Sequence, residues 1–202
     1  MKGNKKILIA GVGGQGIVYL TNIIVEAAML SDIPVCVSEI HGLSQRGGVV
    51  TAGIGLGKHC TGFIGKANVD LLIGLEPLET QRCVSHLHKN SSVIFGNYKI
   101  APYSVNAETA QYPEINPFIY YLKSQIDKLI FINELPKEIS AVLQNIYFLG
   151  VATQAKCLPF SRKIIEMAIR NTVMDYHLEN TIDIFNKGLN FNMDTKAISS
   201  VQ

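Results

Sequence analysis

Apolar residues follow two rhythms along this chain. Short, continuous apolar runs at 6–10, 70–75, 92–95 and 129–132 have the length of buried strands. Residues 33–39 place Val35 and Val37 on one face of a further strand, and 47–57 is strand-like as well. Between the first two strands, Leu20, Ile23, Ile24, Ala27, Ala28 and Leu30 recur at helical spacing, which predicts a helix over 17–30. Pro77 opens a helix running towards His88.

The second half is more helical. Asn116-Pro117 reads as an N-cap followed by proline at the first helical position. Residues 136–143, 144–156, 161–175 and 180–187 read as helices. Leu158-Pro159 breaks the chain before a Ser161 cap, and Gly188 suits a helix C-terminus. Strands alternating with helices predict an α/β fold. Its form is a Rossmann-like open, mainly parallel sheet with helices on both faces and a helical C-terminal section. One domain is expected over residues 1–190, with a frayed tail over 191–202. There is no internal repeat and no low-complexity segment.

Two glycine clusters punctuate this pattern. Gly11-Val12-Gly13-Gly14-Gln15-Gly16 fits G-x-G-x-x-G directly after a strand and before a helix. Gly11 permits a tight turn, Gly13 a close approach of backbone to phosphate, and Gly16 close helix–strand packing. The following helix would present N–H groups to an anion. Glu39 ends the second strand, where a ribose-binding acid would sit. Three readings stand open for this loop: an anion or phosphate site, a nicotinamide site, or a structural turn and subunit contact. The second cluster, Gly42 to Gly48, gathers Ser44, Gln45 and Arg46 between glycines, with His41 just before it. Arg46 could fork onto a carboxylate or phosphate, or be a solvated loop arginine. His41 could be an acid or base, or a structural hydrogen-bonding residue. Both clusters are expected side by side at the carboxyl edge of the sheet, after neighbouring strands. Gly53, Gly55 and Gly57 leave one strand face bare, so that another backbone or a ligand can come close.

Composition narrows the function classes. The chain has 202 residues and a formal net charge of +2, which supplies no electrostatic footprint for nucleic acid. Charged residues make up 17 %, against about 25 % in ordinary domains. So little charge suggests surface hidden against a partner, and self-association of the isolated chain. No apolar run approaches the roughly 18 residues of a membrane helix. The basic start before Ile7 superficially resembles a leader, but the glycine loop interrupts it and a strand is the better reading. A cytoplasmic protein is expected. Cys36, Cys60, Cys83 and Cys157 form no CxxC pair, which predicts free thiols and no metal or iron–sulfur site in this chain. His59, His86, His88 and His177 lack metal-ligand spacing, and His86 and His88 are expected on a solvated helix end.

Gly11-Val12-Gly13-Gly14-Gln15-Gly16-Ile17, followed by Glu39-Ile40-His41-Gly42-Leu43-Ser44-Gln45-Arg46-Gly47-Gly48, resembles one family. It is the gamma-type, or catalytic-domain, subunit of the 2-oxoacid:ferredoxin oxidoreductases, in the branch of the indolepyruvate ferredoxin oxidoreductase beta subunit. Leu71 to Thr80, with its Glu76-Pro77-Leu78-Glu79 turn, resembles the family as well, as do Asn145 to Leu149, Leu158 to Ser161 and Asn180 to Gly188. Family members often carry a basic residue about where Gly55 stands here, and the stretch from Lys99 to Pro113 is too irregular to be matched to them.

The resemblance implies a subunit of an assembled enzyme. Such enzymes decarboxylate a 2-oxoacid, here of the arylpyruvate type, pass two electrons to ferredoxin and capture the acyl group with coenzyme A. Thiamine diphosphate and iron–sulfur clusters are implied in a large partner subunit, with no cofactor held tightly in this chain. The chain itself would complete the active-site cleft with Gly11, Gly13, Gly14, Gln15, Gly16, Ser44, Gln45, Arg46, Gly47 and Gly48. The other readings are a stand-alone NAD-dependent dehydrogenase and a small-ligand-binding Rossmann module.

Overall fold

The computed structural model describes residues 4–42, 48–140 and 142–193. Its strands are β1 (Lys5–Val12), β2 (Val35–His41), β3 (Val49–Leu56), β4 (Val69–Gly74), β5 (Leu87–Gly96) and β6 (Lys128–Ile132). Its helices are α1 (Ile17–Met29), α2 (Pro77–Arg82), α3 (Tyr103–Asn106), α4 (Ile115–Gln125), α5 (Gln144–Gln154), α6 (Arg162–Thr172) and α7 (Asp175–Leu189). The six strands form one sheet in the order β2-β3-β1-β4-β5-β6. β1, β4, β5 and β6 run parallel, while β3 is antiparallel to both β1 and β2.

Strand periodicity divides the core. Ile7 and Ile9 of β1 join the layer that holds α1, α5, α6 and α7. Leu8 and Ala10 face the other side, with Val93 and Phe95 of β5 and Phe118, Ile119 and Leu122 of α4. α5 is buried at every residue from Gln144 to Ala152 because α7 covers it from outside. The two helices cross where both lack side chains. A Cβ on Gly150 would lie 2.3 Å from the Phe185 carbonyl, and one on Gly188 would lie 2.2 Å from the Tyr147 carbonyl. Gly188 therefore lies in the last turn of α7, which ends at Leu189, and marks the crossing with α5 as well.

Several predicted boundaries shift. The helix opened by Pro77 stops at Arg82, a 3₁₀ turn covers Val84–His86, and β5 begins at Leu87. His86 thus sits in a turn with Nδ1 3.0 Å from the Gly65 carbonyl, and His88 sits in a strand. The polar start of β5 is anchored by Ser91, whose hydroxyl donates to the Val69 carbonyl (2.6 Å) and accepts from the His88 N–H (2.8 Å). Residues 136–140 and 142–143 hold turn-type bonds, Ile139 N–H to Pro136 and Leu143 N–H to Ser140, in place of the predicted helix. α4 is capped at Glu114, so Pro117 falls on its third residue, where its missing N–H costs no intrahelical bond. α7 starts at Asp175, five residues before the predicted start. The Ser161 cap is present: its hydroxyl accepts from the Ile164 N–H at 3.3 Å.

Glycines also shape the hairpin edge. A Cβ on Gly53 would meet the Gly62 carbonyl at 2.2 Å, and one on Gly55 the Thr61 carbonyl at 2.3 Å. The bare strand face thus receives backbone, as its sequence allows. At Gly55 no side chain has room.

Candidate functional site

The carboxyl ends of β1 and β4 meet at one carbonyl. Leu75 N–H donates to the Ala10 carbonyl at 2.8 Å, which splices the two chains just past β4. The Leu75 carbonyl then accepts from Gln15 Nε2 (2.9 Å) and Gln144 Nε2 (3.2 Å). Gln15 Oε1 accepts the Val12 N–H at 2.8 Å. Its carboxamide is buried and bridges the loop to the next strand, so Gln15 builds the loop instead of facing a ligand. Gly11 is glycine for the same reason: its Cβ would stand 2.5 Å from Gln15 Oε1.

The remaining glycines set the curvature. Gly14 has φ 97° and Gly16 has φ 71°, both in the left-handed region that favours glycine. Nothing lies within 4 Å of a Cβ on Gly14, so this glycine faces open space. A Cβ on Gly16 would instead stand 2.2 Å from Asn145 Nδ2, which donates to the Gly16 carbonyl at 2.8 Å. Asn145 thereby fastens α5 to the start of α1. Gln15 N–H donates to Val12 and Gly13 N–H to Gly48, at 3.2 and 2.9 Å. Among the described residues, the N–H groups of Gly14 and Gly16 make no hydrogen bond.

The two glycine clusters do touch, but not through neighbouring strands. β3 lies between β1 and β2, and its first residue Val49 pairs with Val12. The chain entering β3 therefore brings the Gly48 carbonyl onto the Gly13 N–H. Ser44, Gln45, Arg46 and Gly47 lie outside the described residues. Glu39 and His41 stand on the edge strand β2, their Oε2 and Nε2 3.4 Å apart and well exposed. A ribose-binding acid belongs on the strand beside β1; β3 occupies that position here, which removes the geometric basis for a nicotinamide site. Among the described residues, His41 has no further partner to orient it as a catalytic base.

The sequence marks Asn145 and Glu76 as family-like without giving either a role, and it does not single out Gln144. Gln144 and Asn145 are fully buried polar residues at the start of an apolar helix, and that contrast was the available signal. Glu76 is also fully buried. Its carboxylate caps α2 through the Glu79 N–H (2.9 Å), takes the Ile100 N–H (3.3 Å) and accepts the Tyr112 hydroxyl. Burial, then the Glu76 carboxylate, pushes the Tyr112 phenol up, so it stays a donor. Burial also raises Glu79, against the pull of Arg82 at 3.2 Å. The turn Glu76 to Glu79 is thus a buried brace for the loop from Lys99 to Pro113. Beside Gly16 opens a cavity of about 530 Å³ lined by Tyr19, Leu143, Val173, Met174, His177 and Thr181. Burial raises the Tyr19 phenol, with the Thr181 hydroxyl opposing it.

Among the described residues, no group of three or more His, Cys, Asp or Glu could hold a metal ion, and no helix is long and apolar enough to cross a membrane. The chain is similar to subunit IorB of the indolepyruvate oxidoreductase of Archaeoglobus fulgidus, at 34 % identity over 187 residues, 91 % of this chain and 93 % of that one. The Methanothermobacter thermautotrophicus protein of that name is 30 % identical over 92 % of this chain and 96 % of its own. In fold, it is similar to the gamma subunit of a keto/oxoacid ferredoxin oxidoreductase from Geobacter sulfurreducens, with TM-score 0.64 and 19 % identity over 92 % of this chain and 96 % of that chain. A 2-oxoglutarate:ferredoxin oxidoreductase chain from Magnetococcus marinus superposes with TM-score 0.63 and 13 % identity, over 94 % of this chain and 31 % of its own length. The model of the pyruvate ferredoxin/flavodoxin oxidoreductase family matches residues 6–191, and the chain belongs to that family.

Proposed function

We propose that this chain is the small subunit of a cytoplasmic 2-oxoacid:ferredoxin oxidoreductase of the arylpyruvate type. The observation that carries the reading is the full-length similarity to the IorB subunits, over 91 % of this chain and 93 % of the Archaeoglobus protein. The residues agree with a subunit role. The glycine loop is braced from inside by Gln15, Gln144 and Asn145, and its outward features are two N–H groups and an open Gly14. That is a rigid edge suited to completing another subunit's cleft.

Thiamine diphosphate and iron–sulfur clusters in a large partner subunit supply the decarboxylation and the electron path to ferredoxin. This chain holds neither. The N–H groups of Gly14 and Gly16, together with the Arg46 guanidinium, bind an anionic group of the 2-oxoacid or of coenzyme A. The exposed Val142, Met174 and Tyr176 around the cavity beside Gly16 belong to the partner-facing surface, and they drive self-association when the chain is alone.

Co-expression with the large subunit tests the reading. The two chains should co-purify with iron and thiamine diphosphate, whereas this chain alone should carry neither in stoichiometric amount. Stoichiometric iron, or NAD retained by the chain alone, would overturn it.

A further inference from the structure

Cys36 and Cys60 are 24 positions apart, yet Cys60 Sγ donates to Cys36 Sγ at 2.7 Å. A covalent S–S bond is about 2.05 Å long, so a small movement separates the pair from bonding. The fold delivers the two thiols to each other. Cys36 lies on β2 opposite Gly55 of β3. Gly55 and Gly53 have no side chain, and the backbone of Thr61 and Gly62 fills the space. Gly62 in turn is pressed on β2, where a Cβ would stand 2.3 Å from the Ser38 nitrogen. Three glycines thus clamp the segment carrying Cys60 across the hairpin. His59 enters it with φ 60°, in the left-handed region that histidine visits more readily than most residues. Both thiols are partly accessible, whereas Cys83 and Cys157 are buried. Among the described residues no third ligand completes a metal site here.

We propose that Cys36 and Cys60 are a dithiol that closes to a reversible disulfide, stapling the edge strand to the segment after β3. Burial and the neighbouring Cys36 push the Cys60 thiol up, so Cys60 keeps its proton while it donates to Cys36. Cys36 Sγ in turn donates to the Cys60 carbonyl at 3.3 Å. Once Cys36 gives its proton to water, its sulfur attacks a low-molecular-weight disulfide such as oxidised glutathione, forming a mixed disulfide and releasing one thiol. Cys60 then loses its proton to water and displaces the second thiol as the Cys36–Cys60 bond forms. Two cysteine thiols give up two electrons and two protons, and the small disulfide becomes two thiols. The staple also fixes the groove between the exposed Ile40 and Phe63, which Ser38 and Gly62 line.

The test uses the purified full-length chain and oxidised glutathione, with acid quenching and peptide mass mapping. The native chain should lose the mass of two hydrogens and yield one linked peptide pair, Cys36 with Cys60. Dithiothreitol should reverse the change, and the oxidised form should melt several degrees higher because a loop of the unfolded chain is closed. Cys60→Ser should instead hold a glutathione adduct at Cys36. Stable glutathione adducts on the native chain, a bridge to Cys83 or Cys157, or no reaction at either thiol would overturn the proposal.

Discussion

Gly53 and Gly55 face backbone carbonyls, at 2.2 and 2.3 Å from the Cβ each lacks, whereas Gly11 and Gly16 face side-chain amides, at 2.5 and 2.2 Å. The distances are alike and the consequences are not. A carboxamide can swing away at the cost of its hydrogen bonds. The backbone of Thr61 and Gly62 can leave only by parting from the hairpin. The strip on β3 is therefore locked by backbone, and the loop after β1 is locked by the hydrogen-bonded side chains of Gln15 and Asn145. Gly14 differs from both, since only its φ of 97° demands glycine. A functional edge needs a residue of that third kind, facing outward from a loop that is held from behind.

The contrast predicts a ranking of substitutions. Gly55→Val should cost the most, about 3 kcal/mol or more, since its side chain must displace backbone. Chemical denaturation would read this directly, and a loss no greater than that of Gly14→Ala would break the distinction. Gln15→Leu should cost about 2–3 kcal/mol, because the Val12 N–H is left unpaired in the interior. Gly16→Ala should cost about 2 kcal/mol, from left-handed strain plus the displaced Asn145 bond; Asn145→Ala in the same background should add little further loss if the two share one joint. Arg46→Ala should leave the fold alone and raise the apparent KM for one anionic substrate of the assembled enzyme about tenfold, a charged hydrogen bond lost. Unchanged kinetics for every substrate would reduce Arg46 to a solvated residue. Gly14→Ala should be the mildest of the glycine substitutions for stability, about 1 kcal/mol, and should still impair catalysis if the loop faces the cleft.

Much of this architecture was legible because buried parallel strands announce themselves as continuous apolar runs, as at Ile7 to Ala10 and Leu71 to Leu75. The first half of β5 was hidden because His88, Lys89 and Asn90 carry it out of the apolar core. The placement of β3 between β1 and β2 was not legible at all. Periodicity tells which face of a strand is buried and says nothing of which strand lies beside it. The glycine loop was found by its spacing, but a glutamine among glycines reads as a ligand contact until the Leu75 carbonyl is seen behind it. Glu76 and Tyr112 were missed as a pair because 36 residues separate them.

As a subunit that completes another chain's active site, this chain should turn over nothing alone. The most direct test is anaerobic mixing with the large subunit, followed by viologen or ferredoxin reduction with an arylpyruvate and coenzyme A. The small chain alone should give no reduction, and 2-oxoacid- and coenzyme-A-dependent reduction should appear once both are present. Robust turnover by the small chain, or a large subunit whose full activity is indifferent to its addition, would contradict it.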